Sequence, residues 1–284
     1  MEKRIIALGL SSSGKSCYLG VTVGFMCRKK MYNIYDKNRN LRRLTDTIEE
    51  RMKSGRWVKK TIGREEYCFK KEGFFSDAEY ALHDWNGEYF HLLGLDEDQA
   101  TKEWNKAQEK IDGKIVKGDE LRKLYEDDCS KADAMLLFID SRTLLEDDDK
   151  QATRESLSTL IDILRKSKKK RVIVIVLTKA DYLEGYDMFR SKDNKVDIKK
   201  VIDNLRNNYN SFISEVVSAG HMVSISAVSC IPKREHRNSN GGRGSVPNEK
   251  WSLEDMTYSN VDGGEDKRFG NDMLTPIRWL IANT

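Results

Sequence analysis

The chain has 284 residues, 38% of them hydrophobic and 34% charged, which is enough for one large α/β domain with a buried core. A formal net charge of +4 does not by itself indicate nucleic acid or an anionic membrane, so we expect neither as a partner. Five cysteines without a CxxC pair predict reduced thiols, and the longest apolar run, residues 172–177, is too short to cross a bilayer; we therefore expect a cytoplasmic protein.

The first third of the chain predicts a strand, two helices and a hairpin. Residues 4–8 (RIIAL) form an apolar run that ends in a Gly/Ser loop, which predicts a buried strand, and residues 15–30 predict a helix that starts at that loop. Between residues 38 and 54, apolar side chains recur every three or four positions, which predicts a second helix. Residues 65–70 and 78–84 flank a turn-rich stretch, which indicates a β-hairpin.

The rest of the chain alternates strands with helices. Buried strands are predicted at 134–139, 172–177 and 222–226, separated by helical segments at about 150–167 and 196–219. Residues 95–131 predict an exposed polar insertion plus one core helix near 121–125, residues 231–270 a loop or disordered insertion, and residues 273–281 a closing apolar helix.

This element order predicts the α/β fold class in one domain spanning residues 1–284. We expect a mostly parallel six-stranded sheet with helices on both faces, in which the early hairpin supplies the antiparallel pairing. Insertions are expected at about 36–58, 94–120 and 231–270.

The most specific motif is Gly9–Ser16 (GLSSSGKS), which matches the phosphate-binding loop GxxxxGK[ST] and lies between a predicted strand and helix. Its glycines allow successive backbone N–H groups to point at one anion, and the helix N-terminus adds partial positive charge. Lys15 is predicted to reach the β- and γ-phosphates, and Ser16 to supply a hydroxyl to Mg²⁺.

A second motif, Asp84-Trp85-Asn86-Gly87 (DWNG), ends the predicted strand 78–84. An Asp at a strand end beside the phosphate loop is placed to hold Mg²⁺, usually through water. The Gly87 backbone N–H can then approach the γ-phosphate, so that this segment would sense hydrolysis.

A third motif, Thr178-Lys179-Ala180-Asp181 (TKAD), directly follows the buried strand 172–177. The Asp181 carboxylate can accept hydrogen bonds from guanine N1–H and N2–H₂, which adenine does not offer in that arrangement. The stem of Lys179 can lie along the purine face. Ser226-Ala227-Val228, after the last predicted strand, can offer a backbone N–H to guanine O6, at the strand end where α/β sheets bind ligands.

Thr61, just ahead of strand 65–70, is the candidate for a second Mg²⁺-coordinating hydroxyl and a γ-phosphate contact. Thr45 and Thr47 compete with it, but their helical pattern indicates surface positions. Arg56 and Arg64 flank Thr61 and are candidates for an internal arginine finger, although exposed loop arginines are common.

Together, GLSSSGKS, Thr61-Ile62, DWNG, TKAD and SAV resemble the motif set of the Ras-like branch of P-loop GTPases (TRAFAC-type small GTPase domains), over residues 3–229. The resemblance implies a P-loop NTPase fold, with phosphate contacts from the segment Ser11, Ser12, Ser13, Gly14, Lys15, Ser16 and Cys17. GRW at 55–57 and PIRWL at 276–280 are similar to bacterial GTPase domains of conflict and defence operons. Glu88 departs from the pattern, because Ras-like members usually carry there a glutamine that orients water.

These residues predict a Mg²⁺-dependent switch that binds GTP and GDP, hydrolyses GTP slowly, and meets a protein effector or activating partner. Lys15, Thr61 and Glu88 are its candidate catalytic residues. Two alternatives stay open: a GTP-binding scaffold that does not hydrolyse and recruits partners through its insertions, and a P-loop ATPase or kinase, against which the intact TKAD argues.

Overall fold

The computed structural model describes residues 2–54, 56, 63–73, 77–111, 113–191, 196–229, 233–237, 243–247 and 273–284. Its strands are β1 (Glu2–Leu8), β2 (Ile34–Asp36), β3 (Arg64–Lys71), β4 (Ala78–Trp85), β5 (Gln108–Ile111), β6 (Lys114–Lys117), β7 (Ala134–Asp140), β8 (Val172–Thr178), β9 (Met222–Ala227), β10 (Lys233–Arg237) and β11 (Arg243–Pro247). Its helices are α1 (Lys15–Val21), α2 (Val23–Lys29), α3 (Asn40–Lys53), α4 (Gly87–Leu92), α5 (Glu97–Lys106), α6 (Gly118–Lys131), α7 (Asp147–Ser167), α8 (Ile198–Asn208), α9 (Asn210–Ser218) and α10 (Thr275–Asn283).

The main sheet has seven strands in the order β2-β3-β4-β1-β7-β8-β9. Pairing is parallel from β4 through β1, β7 and β8 to β9, and antiparallel at β2–β3 and β3–β4. The α/β class, the mostly parallel sheet and the antiparallel hairpin are confirmed. The count of six strands was wrong: the seventh, β2, is only three residues long, too short to show a periodicity in the sequence.

Alternate side chains of β1 pack into two separate hydrophobic cores, one on each face of the sheet. Ile6 and Leu8 pack into the core beneath α4 to α9, whereas Ile5 and Ala7 pack into the core beneath α1 to α3 and α10. Every residue of β7 and of β8 is buried, as expected for central parallel strands covered on both faces. Helices on both faces are therefore confirmed, and the carboxyl ends of the central strands share one edge.

Helix α3, within the first predicted insertion, packs closely against α1 and α2, because its side chains lie against glycine backbone in both helices. A Cβ on Gly20 would lie 2.3 Å from Ile48 Cδ1, and one on Gly24 would lie 2.0 Å from Thr45 Oγ1. The Thr45 hydroxyl donates to the carbonyls of Gly20 and Leu41, both at 2.9 Å. The expectation that Thr45 lies on the helix surface was wrong, because this threonine is fully buried in the α3 contact; Thr47 does lie on the surface.

The second insertion is more ordered than the sequence suggested. It contains α5 and the antiparallel hairpin β5–β6, and it buries Trp104, Ile111 and Val116 in the core beneath α4 to α9. Of the third insertion, the structure describes β10 and β11, which form another antiparallel hairpin where a loop was predicted. Within the described residues, no helix is both long and apolar enough to cross a membrane.

Candidate functional site

The loop Gly9–Ser16 curls between β1 and α1 through three residues with positive φ: Gly9 (145°), Ser12 (64°) and Gly14 (85°). A Cβ on Gly9 would lie 2.3 Å from the Phe138 carbonyl oxygen, so this position accepts no side chain. The Ser13 N–H donates to the Leu10 carbonyl at 3.1 Å and closes the turn. Ser11 and Ser12 are exposed, Gly14 is half-buried, and the hydroxyl of Ser13 is buried without a hydrogen-bond partner among the described residues.

Lys15 begins α1 and is 6% exposed, with its Nζ donating to the Gly9 carbonyl at 3.1 Å. A lysine in a Gly/Ser loop gives no signal of burial in the sequence, but here the side chain is buried and reaches the carbonyl at the start of the loop. Burial lowers the pKa of Lys15, and the nearby charge of Asp84 partly offsets this effect. A buried ammonium beside an N–H-lined turn is suited to hold an anion.

The Ser16 hydroxyl donates to Asp84 Oδ2 at 2.8 Å, although the two residues are far apart in sequence. Parallel pairing of β1 with β4, which places Ala7 opposite Asp84, brings the carboxylate to the start of α1. A hydroxyl and a carboxylate are donors that Mg²⁺ prefers, so these residues fit the cation. Among the described residues no three His, Cys, Asp or Glu side chains form a metal cluster, so a cation here would also need oxygens from a bound phosphate.

Cys17, the last residue of the expected phosphate contacts, is half-buried behind Ser16. Burial raises the pKa of its thiol to about 11, with the charge of Lys179 opposing and that of Asp84 adding to the rise. The thiol is therefore protonated at neutral pH, and only the backbone N–H of Cys17 is suited to contact an anion.

Gly87 lies directly against the phosphate loop. A Cβ at this position would lie 2.3 Å from Ser11 N and 2.5 Å from the Leu10 carbonyl carbon, so only glycine allows the two backbones to meet. Glu88 follows in the first turn of α4 and is exposed, and its backbone N–H donates to Asn86 Oδ1 at 3.1 Å. The DWNG segment therefore contacts the phosphate loop through the Gly87 backbone and through the Asp84 carboxylate, while the Glu88 side chain is exposed.

On the other side of the loop, two residues of TKAD bind its backbone. The Thr178 hydroxyl donates to the Ser13 carbonyl at 2.6 Å, and Lys179 Nζ donates to the Ser12 carbonyl at 2.7 Å. Lys179 has a positive φ of 55°, which turns the chain sharply after β8. The phosphate loop is thus the common neighbour of DWNG on one side and TKAD on the other.

Asp181 is half-buried, and its Oδ1 accepts a hydrogen bond from the Ser229 hydroxyl at 2.6 Å. Ser229 lies one residue beyond the predicted SAV and was missed, because serines are common after strands and carry no signal of their own. Ser226 and Ala227 are buried at the end of β9. The Val228 N–H donates to the Leu177 carbonyl at 2.8 Å, so it is already used between the strands, and Ala227 remains the candidate donor.

Asp140, at the end of β7, was also missed by the sequence analysis. Its carboxylate accepts hydrogen bonds from Lys179 Nζ at 2.6 Å and from Arg142 Nη2 at 2.6 Å, and the next residue, Ser141, donates its hydroxyl to the Lys179 carbonyl at 2.6 Å. Burial raises the pKa of Asp140, but the Arg142 hydrogen bonds and the Lys179 charge outweigh burial and hold that pKa below its usual value. No short motif contains this Asp, and its lysine partner is 39 residues away.

Beneath the DWNG segment lies another buried carboxylate, Asp128 of α6. His83 Nδ1 lies 2.9 Å from Asp128 Oδ2, to which Trp85 Nε1 donates at 3.1 Å and Arg64 Nη1 at 3.3 Å. Burial raises the pKa of Asp128, but the His83 hydrogen bond and the charges of His83 and Arg64 hold it below its usual value. His83 is buried, and Arg64, one arginine-finger candidate, is bound within this network.

Thr61, together with Ile62, lies outside the described residues, so its predicted Mg²⁺ and γ-phosphate contacts stay a prediction. Of the GRW segment only Arg56 is described, and it is exposed. The loop residue nearest Thr61 that is described is Gly63, whose carbonyl accepts a hydrogen bond from the Asn86 N–H at 2.7 Å. Gly63, two residues after Thr61 in the sequence, therefore lies beside DWNG.

In a comparison with known families, the Double-GTPase 2 model matches residues 79–231. The matched range contains DWNG, TKAD and SAV, whereas the loop Gly9–Ser16 lies outside it. A comparison with curated proteins finds no match. Because the match covers more than half of the chain, the chain belongs to the Double-GTPase 2 family and is a guanine-nucleotide-binding GTPase domain.

Proposed function

We propose that this chain is a Mg²⁺-dependent switch of the Ras-like type, which changes conformation between its GTP and GDP states and hydrolyses GTP slowly when alone. The observation that carries the proposal is the position of the loop Gly9–Ser16. It contacts Gly87 on the side of the expected γ-phosphate sensor and Lys179 on the side of the expected base-reading loop. Such a common neighbour is what a nucleotide that spans base and phosphates requires.

In this proposal the backbone N–H groups from Ser11 to Cys17 cradle the phosphates, and the buried ammonium of Lys15 moves from the Gly9 carbonyl to the β- and γ-phosphates. Ser16 and Thr61 would hold Mg²⁺, with Asp84 in support, and a bound cation would supply charge neutralisation at the phosphates. Hydrolysis transfers the γ-phosphoryl group to water, so the protein needs to position the water and stabilise charge more than to supply a strong base.

Base recognition is assigned to the other side. Asp181 accepts from guanine N1–H and N2–H₂, the Lys179 stem lies along the purine, and the Ala227 N–H donates to O6, with Ser226 and Val228 shaping the pocket. Adenine would leave the Asp181 carboxylate without donors in a half-buried site, which disfavours it.

The alternative of a non-hydrolysing GTP-binding scaffold draws on one observation. Glu88, an acidic residue at the position of the water-orienting glutamine, is exposed at the start of α4. A timed conversion of GTP to GDP separates the two functions, because the scaffold binds GTP without turning it over.

The proposal is tested by competition of GTP, GDP and ATP against a fluorescent GDP analogue, with Mg²⁺ or with EDTA. We expect guanine to be preferred over adenine by at least about 10³-fold, the scale seen when a polar site loses its partners, and affinity to fall without Mg²⁺. Equal affinities for GTP and ATP would refute the base assignment. Affinity that is unchanged by EDTA would refute the role of Mg²⁺.

A further inference from the structure

Lys179 is held by three hydrogen bonds, two from its side chain and one to its backbone. Its Nζ donates to the Ser12 carbonyl at 2.7 Å and to Asp140 Oδ2 at 2.6 Å, and its carbonyl accepts from the Ser141 hydroxyl at 2.6 Å. The Lys179 side chain, which has four rotatable bonds, is therefore held in one conformation that extends from the loop after β8 to the phosphate loop. Without such contacts, a half-exposed lysine samples many rotamers.

Asp140 is suited to fix this lysine because it is itself fixed. It pairs with Thr178 across the parallel strands β7 and β8, which places its side chain beside the TKAD loop. The carboxylate also accepts from the Arg142 backbone N–H at 3.0 Å and from Arg142 Nε at 3.1 Å. Asp140 is 8% exposed, and the cations around it keep it ionised at neutral pH.

From this geometry we propose that Asp140 is a positioning residue for guanine-nucleotide binding. It acts by holding the Lys179 side chain in the conformation that lets it contact both a purine and the phosphate loop. The inference rests on the proposed function. The side-chain entropy of Lys179 is lost when the protein folds, so it need not be lost again when nucleotide binds. Ser141 supports the same lysine through its backbone.

A purely structural role for Asp140 predicts something different. Its hydrogen bond to the Arg142 N–H caps the turn after β7, and that cap alone would stabilise the fold without regard to nucleotide. The substitution Asp140→Asn separates the roles, because an asparagine keeps the Oδ1 acceptor for the Arg142 N–H and loses the charge that attracts Lys179.

The chain offers a matched control at the opposite end of the same strand. Asp133, just before β7, accepts from the Arg4 N–H at 2.8 Å and pairs with Lys169 Nζ at 2.8 Å. It therefore has the same combination of a backbone donor and a lysine, but far from the phosphate loop. Asp133→Asn is expected to leave nucleotide affinity within about twofold of wild type, whatever it does to stability.

The experiment measures the affinity and the dissociation rate of a fluorescent GDP analogue, with excess Mg²⁺, for wild type, Asp140→Asn, Lys179→Met, the double variant and Asp133→Asn. We expect Asp140→Asn to weaken binding about tenfold, mostly through faster dissociation. In the Lys179→Met background the same change should have almost no further effect, because its target is gone.

Each other outcome decides a separate point. Additive effects of Asp140→Asn and Lys179→Met, or an equal loss in Asp133→Asn, overturn the positioning role. Wild-type affinity in a folded Asp140→Asn protein overturns it as well, while the proposed function stands. A wild-type protein that binds no GDP analogue overturns the proposed function itself. If Asp140→Asn does not fold, Ser141→Ala replaces it, with an expected loss of about threefold, and no loss there overturns the proposal.

Discussion

The two sides of the phosphate loop are built differently. On the side of TKAD, contacts are short hydrogen bonds between charged or polar groups of neighbouring loops, with Asp140, Lys179 and Thr178 at their centre. On the side of DWNG, the loop is contacted by the Asp84 carboxylate and the Gly87 backbone, and the packing behind them is largely aromatic: Tyr89 of α4 stacks on Trp104 with ring centroids 5.2 Å apart. The first set comes from the sheet itself, and the second comes from the insertion carrying α5, β5 and β6.

The same insertion reaches both segments expected to respond to the γ-phosphate. The Tyr89 hydroxyl donates to the Glu109 carboxylate of β5. The other Glu109 oxygen lies 2.4 Å from where a Cβ on Gly63 would be, close to the segment that carries Thr61. The TKAD side, where base recognition is proposed, is therefore held by residues at the ends of the sheet strands, whereas the DWNG side, where γ-phosphate sensing is proposed, packs against α5, β5 and β6.

The largest expected effect comes from a change in the phosphate loop, which both sides contact. Lys15→Ala should remove measurable GDP binding at micromolar protein, because a buried cation beside the phosphates is lost. Since Lys15 is buried, Lys15→Met serves as a second variant that keeps most of the side-chain volume. Isothermal titration measures binding, circular dichroism checks folding, and exposed Lys168→Ala is the control. Wild-type affinity in a folded Lys15 variant would refute the phosphate-loop assignment.

The next effect tests the base-reading side alone. Asp181→Asn should shift preference from guanine toward xanthine nucleotide by about 10³-fold, because an amide can donate to the additional xanthine carbonyl. The variant keeps an acceptor for the Ser229 hydroxyl, so the loop should stay in place. Competition of GDP and XDP measures the shift, with Asp187→Asn as a nearby exposed control. An unchanged GDP preference would show that Asp181 does not read the base.

Much of this arrangement was predictable because burial leaves a direct signal in sequence. The runs of β1, β7 and β8 are continuous and apolar, and α3 repeats its apolar residues at helical spacing, so each was found within a few residues of its bounds. The motifs DWNG and TKAD follow such strands, and parallel strands bring their carboxyl ends to one edge. That geometry alone placed the motif residues beside the phosphate loop.

The rest depended on contacts that no local pattern records. The hairpin β5–β6 has the polar sequences QEKI and KIVK, and it is ordered because Ile111 and Val116 pack on the core, a tertiary effect. In the sequence, Asp140 is a single acidic residue after a predicted strand. Its contact with Lys179, which follows the neighbouring strand of the sheet, exists only in the folded chain. The burial of Lys15 follows from how the loop curls, which glycine positions permit but do not specify.

A smaller effect separates stability from binding on the DWNG side. Trp104→Phe should lower the free energy of unfolding by about 1–2 kcal/mol, because it shortens a fully buried ring in the cluster with Tyr89 and Tyr125. GDP affinity should change less than about threefold, because the base-reading contacts are untouched. Urea unfolding gives the first value and titration the second. Trp279→Phe, at a partly buried position of α10, is the control. A tenfold loss of GDP affinity in Trp104→Phe would contradict the division between the two sides.

The smallest expected effect concerns Glu88, which is exposed at the start of α4. A glutamine there can donate to the γ-phosphate and accept from water at once, whereas an ionised glutamate accepts only. Glutamate also brings negative charge toward an anionic triphosphate, which opposes a closed geometry.

The isolated chain should therefore hydrolyse GTP at roughly 10⁻⁴–10⁻² s⁻¹, and an arginine supplied by a partner can add a factor of about 10³–10⁵ in related systems. Glu88→Gln should leave that rate unchanged or raise it by a few fold. Single-turnover hydrolysis across a range of protein concentrations measures both, and Glu97→Gln, at an exposed position of α5, is the control. A rate above about 1 s⁻¹ that is independent of concentration and lost in Glu88→Gln would show instead that Glu88 acts in catalysis without a partner.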